Sequence, residues 1–180
     1  MQEWLNWLVS KTSEPATVPR VRIPLSPPCF MKCTILTVGK KNEPWINPGV
    51  FRFLERLRPP FDAEMVILPH SSAEASRAIT EESGTILGRI KTDDFVILLD
   101  ENGKNISSPE LSEIIEKRAQ QHIVFVIGGA YGVNNEVKQR ANFCWSLSKL
   151  VFPHQLVRLI LAEQIYRAQE IYRGGKYHHQ

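Results

Sequence analysis

Residues 94–99 read Asp-Phe-Val-Ile-Leu-Leu, an apolar run that follows one acid and stops at another, Asp100. A strand covered on one face alternates apolar and polar side chains. A run without alternation is a strand buried on both faces, the pattern of a parallel sheet with helices on either side. Residues 123–127 (IVFVI), ending in Gly128-Gly129, repeat it; residues 31–38 (MKCTILTV) stop at Gly39, and residues 64–68 (EMVIL) give another β-rich run. Helical periodicity fills the spaces between. Residues 47–57 carry Val50, Phe51, Leu54 and Leu57 at helical spacing before Pro59-Pro60, and the polar stretch from Ser72 to about Ile90 reads as a helix with Ile79, Ile86 and Leu87 as its apolar points. Ser108-Pro109-Glu110 reads as a helix start with a serine cap, proline at the first position and an acid at the positive dipole end. Leu111, Ile114, Ile115 and Ala119 then line one face, and a further helix is expected over 135–143. A last short strand is expected over 146–152 (SLSKLVF). The final helix, over 154–173, places Leu156, Val157, Ile160, Leu161, Ile165 and Ala168 on one stripe and Glu163 four residues before Arg167. Gly174-Gly175 reads as its C-cap. Strands alternating with helices make an α/β domain with a mostly parallel sheet and helices on both faces, whose ligands sit at the carboxyl ends of the strands. Those ends are Gly39-Lys40, Leu99-Asp100, Gly128-Gly129 and Phe152-Pro153-His154.

Length and composition agree with one folded domain: 180 residues, 43% hydrophobic and 23% charged. These values exclude a mainly disordered or collagen-like chain. No apolar stretch approaches the ~18–20 residues of a membrane span, so no membrane partner is expected. The net charge of +3 is small but unevenly placed: residues 31–137 hold 12 Lys/Arg against 15 Asp/Glu, residues 138–180 hold 7 against 2. The last quarter is the basic end, which suits a phosphate-bearing partner. Cys29, Cys33 and Cys144 are an odd number in a chain that needs no disulfide framework, and they are read as reduced thiols of a cytosolic protein. Cys29 and Cys33 lack a second pair at ligand spacing, so no metal site is expected. Five of the twelve prolines (Pro15, Pro19, Pro24, Pro27 and Pro28) fall in the first thirty residues. Such density forbids a helix and interrupts strand ladders. Residues 1–30 are therefore expected to be a disordered extension or an over-long start, with the domain at 31–180.

Few residues announce chemistry. The run Gly128-Gly129-Ala130-Tyr131-Gly132 lets backbone approach a ligand where a side chain would block it, or makes a plain tight turn. In 146–154 (SLSKLVFPH) a proline leads straight into the long helix and leaves His154 at its start. A helix N-terminus disfavours imidazolium, so His154 is either a neutral proton acceptor or a cap. The tail Lys176-Tyr177-His178-His179-Gln180 carries a phenol and two imidazoles, and by itself reads as a frayed terminus. G-x-S-x-G, P-loop and H-E-x-x-H patterns are absent.

Taken together, IGGAYG and SLSKLVFPHQLVRLILAEQIYRAQEIYRGGKYHH closely resemble the bacterial methyltransferases that modify N3 of a pseudouridine in large-subunit (23S) ribosomal RNA, and MKCTILTVGK with VILLDENGK resembles their N-terminal half. The resemblance spans residues 31–180. It implies the SPOUT superfamily: a mostly parallel α/β sheet with a C-terminal trefoil knot, acting as a cytoplasmic homodimer on assembled ribosomes. It also implies S-adenosylmethionine as methyl donor, touching Leu99, Gly129, Ser148, Lys149, Leu150, Val151, Phe152 and Pro153. His154, Tyr177 and His178 become the candidate catalytic residues, and Arg158 and Arg167 candidate RNA contacts. Many relatives have proline before that tyrosine and a basic residue after the histidine, where this chain has Lys176 and His179. The rival reading is a noncatalytic ribosome-associated RNA-binding protein of the same fold.

Overall fold

The structure, a computed structural model, describes residues 30–40 and 42–178. Residues 1–29, with Cys29 and the proline-rich extension, lie outside the described residues, as do His179 and Gln180. Five strands, β1 (Met31–Val38), β2 (Phe61–Leu68), β3 (Phe95–Asn105), β4 (Ile123–Ile127) and β5 (Phe143–Ser146), form one sheet in the order β2-β1-β4-β3-β5. Every pairing is parallel. Five helices connect them: α1 (Asn47–Leu54), α2 (Ala75–Leu87), α3 (Ser108–Lys117), α4 (Asn135–Arg140) and α5 (His154–Tyr172).

The sheet is covered on both sides, as its unalternating strands require. One face packs Ile35, Ile97 and Phe125 against Val50 of α1, Leu111 and Ile115 of α3, and Leu161 and Ile165 of α5. The other packs Leu36, Leu98, Val124 and Val126 against Ile86 of α2 and Val137 of α4. All five residues of β4 are buried, consistent with its place at the centre of the sheet.

The ends of several elements differ from the sequence reading. β2 begins at Phe61 rather than Glu64, because the Arg58 carbonyl accepts from Phe61 N and the register with β1 starts there. The cap of α3 is Ser107, one residue earlier than expected: its Oγ accepts from Glu110 N, and the Glu110 carboxylate accepts from Ser107 N at 2.7 Å. This reciprocal pair is a capping box, which leaves Ser108 and Pro109 inside the first turn. The glycine cap of α5 is as read. Gly174 is in the left-handed region at φ +65, with Gly174 N donating to Ile171 O and Gly175 N to Glu170 O. That is the Schellman arrangement.

The largest difference lies between residues 135 and 153. α4 stops at Arg140, the fifth strand is Phe143–Ser146, and residues 147–153 are a loop. The strand ends because Ser146 Oγ donates to Ser148 O and Ser148 Oγ accepts from Leu150 N, turning the chain away from the sheet. Leu150 and Val151, 69% and 82% exposed, then stand outside the core. β3 is also longer than the apolar run that announced it. Leu99 and Lys104 both pair with Trp145, so residues 100–103 loop outward. Gly103 makes this possible: a Cβ there would lie 2.7 Å from the Cys144 and Trp145 backbone.

Candidate active site

The carboxyl ends of β3, β4 and β5 open into a cleft of about 490 Å³, within the range of small-molecule sites. Three chain segments build its walls: the outward loop Asp100-Glu101-Asn102, the loop from Gly128 to Val133, and the loop after β5 that includes Ser148, Leu150, Val151 and Phe152. Leu99, Ile127, Trp145 and Val157 make an apolar floor, and His154 stands at the edge. Trp145 Nε1 is buried with no acceptor among the described residues. Asp100 is held by Lys138 at 3.1 Å and by Asn102 N at 2.9 Å. Burial pushes its carboxyl up, but the Asn102 N–H and the Lys138 ammonium outweigh that and hold it below the ordinary value.

A second cavity of about 370 Å³ adjoins the first, with Gly129, Ala130, Tyr131 and His154 common to both linings. Its remaining lining comes from the end of β1 (Val38, Gly39, Lys40), the segment His70–Ala73, Ala78 and Glu82 of α2, and Gln155 and Arg158 of α5. His154 therefore stands on the partition between two cavities. Its pKa is pulled down by burial and by the Arg158 charge, against opposing effects from the Glu82 carboxylate and a hydrogen bond to the Gly128 backbone.

Of the residues singled out as donor contacts, Leu99, Gly129, Ser148, Leu150, Val151 and Phe152 line the cleft, whereas Lys149 and Pro153 belong to the same loop without lining it. Tyr177 and His178 line neither cavity of their own chain. Tyr177 packs on α5 instead: its hydroxyl donates to Glu163 at 3.1 Å, its ring meets Tyr166 edge-on at 5.0 Å, and the Arg167 guanidinium lies over it at 4.7 Å. Burial and the Glu163 carboxylate raise its pKa. His178 Nδ1 is buried without a partner among the described residues.

Both arginines have partners within the fold. Arg158 is 2% exposed. It donates through Nε to Thr37 Oγ1, through Nη1 to Lys40 O and Asn42 Oδ1, and through Nη2 to Val38 O, all at 2.7–3.0 Å. It clamps the end of β1 to α5. Arg167 is engaged by Glu163, with its Nε 2.9 Å from Oε1. The sequence reading placed Asp100 at a ligand-facing strand end without giving it a role, and missed Glu82, which belongs to a mostly polar helical stretch.

A family model described as "Predicted SPOUT methyltransferase" matches residues 31–178. The chain belongs to the SPOUT methyltransferase family. Its five-stranded parallel sheet with helices on both faces agrees with the SPOUT fold, and SPOUT methyltransferases use S-adenosylmethionine as methyl donor. Among similar proteins, one named Ribosomal RNA large subunit methyltransferase H from Carboxydothermus hydrogenoformans is 41% identical over 158 residues, covering 82% of this chain and 99% of its own length. Proteins of the same name from Dictyoglomus thermophilum and Enterococcus faecalis are 39% and 38% identical, over 83% and 82% of this chain and 100% and 99% of theirs. The cleft fits the SPOUT donor: it offers an apolar floor, exposed loop backbone, two serines, and an unsatisfied indole N–H beside it.

Proposed function

We propose that this SPOUT methyltransferase transfers a methyl group from S-adenosylmethionine to N3 of a pseudouridine in 23S ribosomal RNA, on assembled ribosomes in the cytoplasm and as a homodimer. The observation that carries the reading is the pair of adjoining cavities with His154 on the partition, a donor-sized cleft beside a second cavity that holds Lys40 and His70. The name of the relatives supports ribosomal RNA as the substrate class. The working domain is residues 31–180, with residues 1–30 dispensable.

In this reading Leu99, Gly129, Ser148, Leu150, Val151 and Phe152 hold the methyl donor, and Lys149 and Pro153 shape the loop that carries them. The donor supplies an already activated methyl on a sulfonium. The protein's work is then alignment, and no acid–base triad is needed. The imide N3 must lose a proton. His154, kept neutral by burial and hydrogen-bonded to Gly128, has a second ring nitrogen able to accept it. Tyr177, and His178 next to it, reach the reacting base only from the second protomer, since Tyr177 is held on α5 of its own chain. RNA phosphates are met by the basic last quarter, through Lys176, Arg173 and Lys149 rather than Arg158.

The test incubates the protein and labelled S-adenosylmethionine with undermethylated ribosomes and maps the label by mass spectrometry. Label on a single pseudouridine of the large-subunit RNA is expected. Label on another base, or on none, refutes the proposal.

A further inference from the structure

The second cavity has a carboxylate from α2 in its lining. Glu82 lies on the inward face of α2 and is 6% exposed. Its Oε1 accepts one hydrogen bond, from Ser71 N at 2.9 Å. Its Oε2 has no donor among the described residues and lies against Gly129, where a Cβ would collide with it. Arg158 of the same cavity is committed to Thr37, Val38, Lys40 and Asn42, and Glu82 forms no ion pair with a described residue. Burying a carboxylate with a single hydrogen bond is unfavourable. Glu82 lines the cavity, where a ligand can complete its hydrogen bonds.

An ionised carboxylate only accepts, so what it can read is an N–H or O–H on the ligand. Uridine and pseudouridine share the same imide face, with N3–H between two carbonyls. They differ at one ring edge, where uridine presents a C–H and pseudouridine, joined to its sugar through carbon, presents the extra N1–H. This edge is the only place where a protein can tell the two bases apart by hydrogen bonding. We propose that the second cavity receives the acceptor base and that Glu82 selects pseudouridine over uridine, its Oε2 accepting the N1–H while N3 faces the partition at His154. The inference rests on the function proposed above and assigns the specificity of that site to a residue outside the donor cleft.

Glu82→Gln tests it with little change of shape: the amide oxygen can still accept from Ser71 N, while its NH2 replaces the acceptor with a donor. Two ribosome preparations are needed, one with pseudouridine and one with uridine at the methylated position, together with calorimetric titration of S-adenosylmethionine and a melting curve. Loss of one hydrogen bond to a charged group predicts a fall of about 10- to 100-fold in kcat/KM on pseudouridine ribosomes. The low rate on uridine ribosomes should hold steady, so that discrimination collapses. Donor affinity and melting should match the wild type. Glu82→Ala, which removes the acceptor without adding a donor, should reduce discrimination in the same direction. An equal loss on both ribosomes would show Glu82 to be a structural prop, and retained discrimination would place the selection elsewhere; either overturns the inference. Wild-type protein inactive on both ribosomes instead refutes the proposed function, and this inference with it.

Discussion

Replacing Arg158 with methionine keeps most of the aliphatic stem but removes five N–H donors from the interior. Four hydrogen bonds disappear, and two of their acceptors, the carbonyls of Val38 and Lys40, are main-chain groups at the end of β1. Hydrogen bonds to a charged donor contribute about 1.5–3 kcal/mol each, and stranding a buried acceptor costs about 1–3 kcal/mol. Contacts to one guanidinium are not additive, so the combined loss is roughly 3–5 kcal/mol. Set against a total stability of about 5–15 kcal/mol, that is a large fraction. For a chain of this size each kcal/mol shifts melting by about 2–4 °C, giving a drop of roughly 6–20 °C. Arg158→Lys, which retains a charge but fewer donors, should fall between. Differential scanning calorimetry with urea titration measures both variants, and ribosome pelleting measures RNA affinity in parallel. Arg158→Met melting within about 2 °C of wild type, with weakened ribosome binding, would refute the clamp and restore the arginine to RNA contact.

Gly129→Val should weaken S-adenosylmethionine binding at least about tenfold while preserving circular dichroism, because the new side chain drives either the Glu82 carboxylate or the 128–132 loop out of place; unaltered affinity in a calorimetric titration would move the donor elsewhere. Tyr177→Phe and His178→Ala should lower single-turnover methyl transfer by about 10²- to 10⁴-fold with donor affinity intact if these groups act in the reaction; full rates would leave His154 as the acting base. Because the fold holds His154 below the ordinary 6.5, the unfolded chain takes up its proton first as pH falls. This group's contribution to folding stability should therefore decline from about pH 6.5 down to the folded value and then level off, a trend absent from His154→Gln when the two are compared by urea titration across pH.

The strands were legible wherever burial on both faces produced an unbroken apolar run, as in β4, and α5 was legible because its stripe, ion pair and glycine cap all agreed. What resisted reading was the polar machinery set into regular elements. α2 turns Ala78, Glu82, Ser83 and Ile86 inward. Ser83 Oγ accepts from Asn134 N, and Glu82 faces the second cavity. Half of that inward face is polar, so the periodicity is faint for the same reason that the helix matters to the site. The loop 147–153 misled in the opposite way. Leu150, Val151 and Phe152 look like strand residues, yet they form an apolar lip on the cleft. The interruption of β3 has its only local mark in Asp-Glu-Asn-Gly, and the need for glycine at 103 is visible only once the β5 backbone is beside it.

Helix α5 starts at the partition with His154, and Glu163, which holds the Tyr177 hydroxyl, lies nine residues further along it. At 1.5 Å per residue that is about 14 Å of rigid rod, wider than a nucleobase. One chain therefore keeps His154 and the Tyr177 hydroxyl too far apart to serve a single base. In the proposed homodimer the unit of activity is a junction between protomers rather than a chain. Chains carrying only a His154 lesion and chains carrying only a Tyr177 lesion, each inert when paired with their own kind, would on mixing form hybrids with one sound junction, and the activity that returned would count how many chains contribute to each site.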